Sequence, residues 1–340
     1  MFSKTLDFII EVIREEYKFL IVMILCLIIL NYPVNYYIYT GGGVSDISSR
    51  VEVEGKYKSK GSFNLSYVTE LNATVSSYLL SFIMPNWERQ STSSYKYIES
   101  ETLEDIDFRY NLDLLVANSN ATYWAYTLAD KDIKLKDSKI YVISVDNDNF
   151  KSNLKIKDEI LSMDGLSYGS LEEYRNYCQT KNENDTVIVR VKRDGKEIDI
   201  ESKLTKVDND RLLLGVILEN YRKYTTNPKV DLHFFSNESG PSAGLMTTLE
   251  IYNQLTKKDL TKGYKIAGTG TIETDGSVGE IGGIEHKLLG AAKDNVDYFL
   301  SPGGDNYREA KKYIKKKNLK IKLIKIDSIE NAINKLEELN

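Results

Sequence analysis

The sequence predicts a multidomain chain of mixed α+β and α/β class, with an N-terminal transmembrane helix, a β-rich central domain and a mixed C-terminal domain. Three observations lead to this prediction. Residues 19–30 (FLIVMILCLIIL) form an unbroken apolar run, residues 134–206 contain short strand patterns separated by turns, and 12 of the 21 glycines lie between Gly240 and Gly304. A length of 340 residues fits two or three domains.

Composition excludes several kinds of site and partner. The chain has 45 basic and 50 acidic residues, and its net charge of −5 argues against nucleic acid as a partner. Two cysteines, Cys26 and Cys178, cannot form a disulfide framework. Two histidines, His233 and His286, leave little for a zinc centre or a Ser-His-Asp triad. We therefore predict neither a metal nor a cofactor.

The N-terminal apolar run predicts a membrane anchor. It continues to Tyr39, so about 20 residues are available for a transmembrane helix over 19–39. The tyrosines near its end are typical of a membrane interface. A cleaved signal peptide and a buried core helix are the alternatives. The run has no small-x-small site after it and no polar face within it, which favours an uncleaved anchor.

The basic residues on the two sides of the run predict its orientation. Residues 1–18 contain Lys4, Arg14 and Lys18, whereas Arg50 is the single basic residue among the fifteen that follow Tyr39. The positive-inside rule makes 1–18 a short cytoplasmic segment and places the later domains outside the cytoplasm, with a single pass through the cell membrane.

Residues 41–133 carry no motif with chemical meaning. Alternating segments at 50–53 and 62–68 predict strands, and residues 99–115 have helical spacing. We expect a β-rich extracytoplasmic region that packs with the domain after it.

Residues 134–206 have a sharper pattern. Lys139–Val145 is a strand pattern, Ser170 is placed to cap a helix over 170–178, and Asp194-Gly195 predicts a hairpin turn between two strands. With the run LKIKDEILSMDG at 154–165, this order resembles a PDZ domain. Lys157 and Asp164 replace the Gly and Asn that are usual in that run, and no clear Gly-Leu-Gly-Phe-like loop precedes Ile140.

The glycine-rich region contains a candidate nucleophile. Ser242 follows a Gly-Pro turn and opens an amphipathic helical stretch that ends at Leu255. Unpaired N–H groups at the start of such a helix point toward a developing oxyanion. The alternative is that Ser242 is simply a helix N-cap.

A candidate base lies 45 positions later. In a helix over 283–294, Lys287 shares one face with Ile284, Leu288 and Ala291, so the lysine interrupts an apolar stripe. Burial lowers the pKa of a lysine, and a neutral lysine is a general base. The alternative is a lysine that extends its ammonium group to water. Together, Ser242 and Lys287 supply a nucleophile and a base without histidine.

These residues resemble the proteolytic domain of Lon-type serine proteases. The family's (D)GPSAG motif is similar to Ser239-Gly-Pro-Ser-Ala-Gly244, with Ser239 in place of Asp, and its IGGLKEKL motif is similar to Ile281-Gly-Gly-Ile-Glu-His-Lys-Leu288. The resemblance implies that Ser242 and Lys287 are catalytic. It implies that Thr269 hydrogen-bonds the lysine. The other supporting positions are Gly240, Pro241, Ala243 and Gly244.

The whole order of segments resembles the bacterial membrane-anchored, PDZ-containing Lon-like proteases. The predicted domains are 19–39 (anchor), 41–133, 134–206 (PDZ-like) and 207–340 (Lon-type). No GxxxxGK[ST] loop occurs in the sequence, so we expect no use of ATP.

The resemblance implies a serine endopeptidase acting on protein or peptide substrates, and it leaves a homo-oligomer open. The alternatives are an inactive membrane-tethered scaffold, which the replacement at Ser239 keeps open, and an enzyme that cleaves only its own chain. His233 and His286 are interpreted as packed or surface residues, and Asp275 and Glu280 as loop acids.

Overall fold

A computed structural model describes the backbone of residues 2–339 and the side chains of residues 14–339. The chain divides into two compact units. Unit 1 contains residues up to Gly41 together with Val68–Tyr95, and unit 2 contains Gly42–Tyr67 together with the chain from Lys96 onward.

The helices and strands are numbered in chain order. The helices are α1 Phe2–Leu30, α2 Val75–Leu80, α3 Leu103–Leu128, α4 Leu171–Gln179, α5 Gly244–Leu255, α6 Ile284–Lys293, α7 Gly304–Lys317 and α8 Ile329–Glu337. The strands are β1 Pro33–Thr40, β2 Val44–Asp46, β3 Val51–Val53, β4 Ser62–Ser66, β5 Thr69–Thr74, β6 Glu88–Ser91, β7 Asp132–Val145, β8 Glu159–Met163, β9 Thr186–Arg193, β10 Lys196–Lys203, β11 Thr205–Lys206, β12 Leu212–Leu213, β13 Val216–Asn227, β14 Val230–Leu232, β15 Lys265–Gly268, β16 Thr271–Ile272, β17 Val278–Gly279, β18 Tyr298–Pro302 and β19 Lys322–Ile326.

Unit 1 corrects the expected helix over 19–39. Helix α1 ends at Leu30, and Pro33–Thr40 is strand β1, the centre of a sheet with the order β5-β1-β6. Pro33 cannot donate the hydrogen bond that would continue a helix, and the tyrosines and Ile38 after it suit a strand, with Ile38 fully buried.

Helix α1 presents apolar side chains on its surface. Phe19, Ile28 and Ile29 are 64%, 59% and 60% exposed. Within the part of the chain whose side chains are described, no helix is both long and apolar enough to cross a membrane.

The PDZ-like part of unit 2 is an antiparallel sheet with the order β10-β9-β8-β7-β13. Ser170 caps α4 as expected, since its hydroxyl accepts from the backbone N–H of Glu173. Asp194 and Gly195 both have positive φ in the hairpin between β9 and β10, as an Asp-Gly turn requires. Buried valines of β9 pack with α4 in one core.

The C-terminal part of unit 2 is built around a second sheet, with the order β19-β18-β15-β4-β2. Strand β4 pairs in parallel with β15, and the Ser66 hydroxyl donates to the carbonyl of Gly268 over 2.8 Å. Residues 41–133 therefore do not form the single region that was expected. Residues 42–67 are part of the C-terminal sheet. Strand β4 is buried along most of its length, as is expected of an internal strand.

Helix α5 runs through the centre of this part of the molecule. All of its residues are buried, so the amphipathic helix predicted after Ser242 is covered on every side. Helix α3 packs on α5 and also contacts the strands β7 and β13. The long helix predicted only over 99–115 thus extends to Leu128 and joins the PDZ-like sheet to the C-terminal core.

Candidate active site

Ser242 lies in a one-turn 3-10 helix, Pro241–Ala243, that runs directly into α5. Gly240 enters this turn with φ +82°, a left-handed conformation that favours glycine, and its N–H donates to the carbonyl of Tyr110 over 2.9 Å. Pro241 occupies the first helical position, where a missing N–H costs nothing. Ala243 is buried and Ser242 is half-buried. The turn is therefore fixed at Gly240 by a hydrogen bond and at Ala243 by burial.

Gly244 lets this turn approach β16 closely. A Cβ atom at Gly244 would lie 2.9 Å from the backbone nitrogen of Ile272, so a larger residue would push α5 away. The small residues around Ser242 therefore have a steric role as well as a conformational one.

Lys287 lies on α6 in the face that the helical spacing predicts. Ile284, Lys287, Leu288 and Ala291 are all buried, and Lys287 is only 3% exposed. The helix begins after Gly283, which has the left-handed φ of +70°. The alternative in which Lys287 extends to water is excluded.

The fold brings the two predicted residues together across 45 positions of sequence. Lys287 Nζ lies 3.0 Å from Ser242 Oγ and 2.8 Å from Thr269 Oγ1. Both distances are those of hydrogen bonds. Thr269 follows β15 and is fully buried, so the position matched to the lysine's partner is in contact with the lysine.

The Thr269 hydroxyl determines the direction of these hydrogen bonds. It donates to the backbone carbonyl of Ser242 over 3.2 Å, so it accepts from an N–H of Lys287. In a neutral lysine this arrangement leaves the lone pair of Nζ for the Ser242 hydroxyl.

Burial lowers the pKa of Lys287 from 10.5 to about 7, because the charged form is removed from water. The amine is therefore neutral in a substantial fraction of molecules near neutral pH. A group with this pKa is well matched to proton transfer at that pH.

The Ser242 turn is also the start of a helix. The first residues of a helix lack intrahelical acceptors for their N–H groups, and Pro241 has none to offer. The backbone of the turn is held in place by the N–H of Gly270, which donates to the carbonyl of Ser242 over 3.0 Å.

The remaining polar residues considered from the sequence lie outside this cluster of hydrogen bonds. His233 is exposed, and its backbone N–H donates to the carbonyl of Arg50. His286 is half-buried beside Lys287 in sequence. Asp275 accepts from Ser277 within its own loop, and Glu280 accepts from the backbone N–H of Asp305 at the start of α7. These two acids are loop residues, as expected.

The sequence does not reveal two charged residues near the loop that leads into the Ser242 turn. Arg50 is 6% exposed and forms a salt bridge with Glu238, four residues before Ser242. The sole signal in the sequence is an arginine immediately before the short strand β3, whose two valines are buried. Their separation of 188 positions hides the pairing from any local pattern.

The PDZ-like sheet contains a loop in which a glycine lies between two apolar residues. Leu214-Gly215-Val216 follows the β11–β12 hairpin, and Gly215 has a φ of +70°. The loop leads into β13, which pairs along its length with β7. The side chain of Gln179, at the end of α4, hydrogen-bonds both backbone groups of Leu212. In this chain the loop therefore follows the β11–β12 hairpin and does not precede Ile140.

Family models match two parts of this chain. Residues 118–204 match a PDZ domain, and residues 220–337 match the Lon protease (S16) C-terminal proteolytic domain.

Curated relatives agree with the second match. The chain is 24% identical over 240 residues to the Lon protease of Mycoplasma mobile. This match covers 62% of this chain and 28% of that protein. The chain is 30% identical over 152 residues to the Lon protease of Campylobacter concisus, and this match covers 43% of this chain and 18% of that protein. The chain thus spans less than a third of the length of these relatives.

A solved structure matches the PDZ-like part. The PDZ domain of an SdrC-like protein from Listeria monocytogenes is 30% identical, with 25% of this chain and 92% of that chain covered and a TM-score of 0.24. The two family models and the curated relatives, taken together, support a PDZ domain followed by a Lon-type proteolytic domain within this chain.

Proposed function

We propose that the chain is a membrane-attached, ATP-independent serine endopeptidase that cleaves protein or peptide substrates with Ser242 as nucleophile and Lys287 as base. The observation that carries the proposal is the distance of 3.0 Å between Lys287 Nζ and Ser242 Oγ. The low pKa of Lys287 and the match to a Lon-type proteolytic domain support it further.

Acylation begins with proton transfer. Neutral Lys287 accepts the hydroxyl proton of Ser242 while Oγ attacks the carbonyl carbon of the scissile peptide bond. Backbone N–H groups at the start of the Ser242 turn donate to the oxyanion that forms. The Lys287 ammonium then gives its proton to the leaving amine, and the peptide C–N bond breaks to leave an ester on Ser242.

Deacylation reverses these roles with water in place of the amine. Lys287 accepts a proton from the attacking water, the tetrahedral intermediate collapses, and the proton returns to Ser242 Oγ as the new carboxylic acid leaves. Thr269 holds the amine in line throughout, because it accepts one of its N–H groups.

The PDZ domain acts on substrates or on access to the proteolytic site in this proposal. PDZ domains bind extended chain ends as an added strand. Strand β13 lies at the edge of the PDZ-like sheet and begins beside α4, which is the arrangement that strand addition needs.

Residues 19–30 attach the chain to a lipid bilayer in this proposal, and unit 2 lies outside the cytoplasm. Support comes from the exposed apolar side chains of α1, since such a surface is costly in water. Added protease should degrade unit 2 in intact cells whose outer wall has been removed. Protection of unit 2 beside a degraded external control protein would contradict this orientation.

The proteolytic activity is tested by covalent labelling. We expect a fluorophosphonate probe to label the wild-type chain on Ser242 and peptide hydrolysis to stop in parallel. Ser242→Ala should remove both labelling and hydrolysis without loss of fold, and Ser239→Ala, at the neighbouring exposed serine, is the matched control. Absence of labelling in folded wild-type protein would favour the inactive scaffold instead.

A further inference from the structure

We infer that Arg50 and Glu238 are positioning residues for the nucleophile. They form a clamp, defined by these two residues, that holds the loop leading into the Ser242 turn. This inference rests on the proposed role of Ser242.

The guanidinium of Arg50 is held from three directions. Its Nε donates to Glu238 Oε1 over 2.8 Å and to Oε2 over 3.1 Å, and Nη2 also donates to Oε1. Its Nη1 donates to the hydroxyls of Ser45 and Ser49, each over 3.0 Å. The arginine side chain is 7% exposed, so this network is nearly shielded from water. A planar guanidinium with so many partners has one orientation.

Glu238 connects the guanidinium of Arg50 to the backbone of the loop. Its Oε2 accepts from the backbone N–H of Phe235 over 2.8 Å, and its own N–H donates to the carbonyl of Phe235 over 2.9 Å. The guanidinium carbon of Arg50 lies 5.1 Å from the centre of the Phe235 ring, within the range of a cation–π contact. Residues 235–238 therefore form a closed turn fastened to Arg50.

The loop is fixed a second time immediately before the nucleophile. The N–H of Gly240 donates to the carbonyl of Tyr110 on α3 over 2.9 Å. Ser239, between the two fixed points, is exposed. The path from Glu238 to Ser242 is thus held by Arg50 at one end and by α3 at the other. A shift of about 1 Å in a reacting group is enough to reduce a rate about 100-fold.

Arg50 comes from outside the region matched by the proteolytic family model, which begins at residue 220. It lies beside β3, which pairs with β14 just before the loop. The segment 42–67 therefore contributes a positioning group as well as strands.

The test is the rate at which a fluorophosphonate probe labels Ser242 across a pH series, at temperatures where circular dichroism shows each variant to be folded. We expect Glu238→Gln and Arg50→Met each to lower the saturating labelling rate at least tenfold. The concentration for half-saturation and the midpoint near pH 7 should stay unchanged, because Lys287 and Thr269 lie outside the clamp. The double variant should lose no more than the worse single variant.

Asp158→Asn is the matched control. Asp158 pairs with Arg193 in the PDZ-like sheet, with Arg193 Nε 2.6 Å from Asp158 Oδ1, and its side chain is fully buried. It should lower stability and leave the labelling rate unchanged. If Glu238→Gln does not fold, Glu238→Asp keeps the charge, and it should retain more of the rate than Glu238→Ala does.

Two outcomes would overturn the inference in different ways. Wild-type labelling together with normal rates in folded Glu238→Gln and Arg50→Met would reject the clamp and leave the proposed function intact. No labelling of the wild type would reject the proposed function, and the positioning role would fail with it.

Discussion

Two cation sites in unit 2 differ in what faces the charge. In the PDZ-like sheet, Arg193 faces the fully buried carboxylate of Asp158, and this hydrogen-bonded acid raises the pKa of Arg193. In the proteolytic part, Lys287 faces the hydroxyls of Ser242 and Thr269, and burial lowers its pKa to about 7. An acid partner keeps a cation charged and structural, whereas hydroxyl partners leave a buried amine free to exchange its proton.

Lys287→Met gives the largest expected effect. The substitution preserves length and apolar packing and removes the proposed base, so peptide hydrolysis should fall at least about 10⁴-fold. Lys287→Arg is the control for charge, and it should stay inactive because a guanidinium does not accept a proton in this range. Hydrolysis within tenfold of wild type in Lys287→Met would reject the Ser-Lys mechanism, and His233 would be the next base to test.

Asp158→Asn breaks the other side of the comparison. It leaves Arg193 with a neutral partner in a site where the carboxylate also accepts from the backbone N–H of Lys155. We expect a loss of about 3–5 kcal/mol in the free energy of unfolding, measured by urea denaturation. Hydrolysis of a small peptide should not change. An equal fall in hydrolysis, with the protein folded, would mean that the PDZ-like sheet takes part in the chemical step.

Thr269→Val sharpens the comparison at the base. It removes the acceptor for one N–H of Lys287 and the donor to the Ser242 carbonyl. We expect kcat for a peptide substrate to fall about 10- to 100-fold, with the pH midpoint of the rate moved lower, because the charged amine loses an acceptor. Thr269→Ser keeps the hydroxyl and should restore most of the rate. An unchanged kcat in Thr269→Val would remove threonine from the mechanism.

The pH dependence of stability gives the most specific effect, because it comes from the titration of one side chain. The pKa of Lys287 is lower in the folded chain, about 7 against 10.5, so the unfolded chain binds more protons between these values. Stability therefore rises with pH across this window, and the penalty for burying Lys287 is complete below about pH 7. A tenfold change in proton affinity is about 1.4 kcal/mol, so the penalty is at most about 5 kcal/mol.

Lys287→Met lacks this titration. Its stability advantage over wild type, measured by urea denaturation at pH 6, 8 and 9.5, should be largest at pH 6 and shrink as the pH rises. All other titrating groups are common to the two proteins and cancel. An advantage that does not vary with pH would show that Lys287 has an ordinary pKa in the folded chain. Activity of the wild type should also rise as the pH increases through about 7, because Lys287 loses its proton there.

Local patterns predicted the elements that carry the site. The apolar stripe around Lys287 predicted α6 and the burial of the lysine, and the Gly-Pro turn predicted a helix start at Ser242. Strands β9 and β10 with their Asp-Gly turn were likewise predicted from spacing. These features depend on neighbours within a few residues, which is the range over which side-chain periodicity and turn chemistry act.

Only the tertiary structure decided the contacts between distant segments. Residues 42–67 join the C-terminal sheet, and local periodicity does not predict this, because the spacing of residues in a strand does not specify which distant strand it pairs with. The sequence by itself determined which side chains the candidate site uses. They are a serine, a lysine and a threonine, with no histidine among them. The fold decided that Lys287 lies 3.0 Å from Ser242 in a dry site, and it is this loss of water that makes a lysine a base near neutral pH.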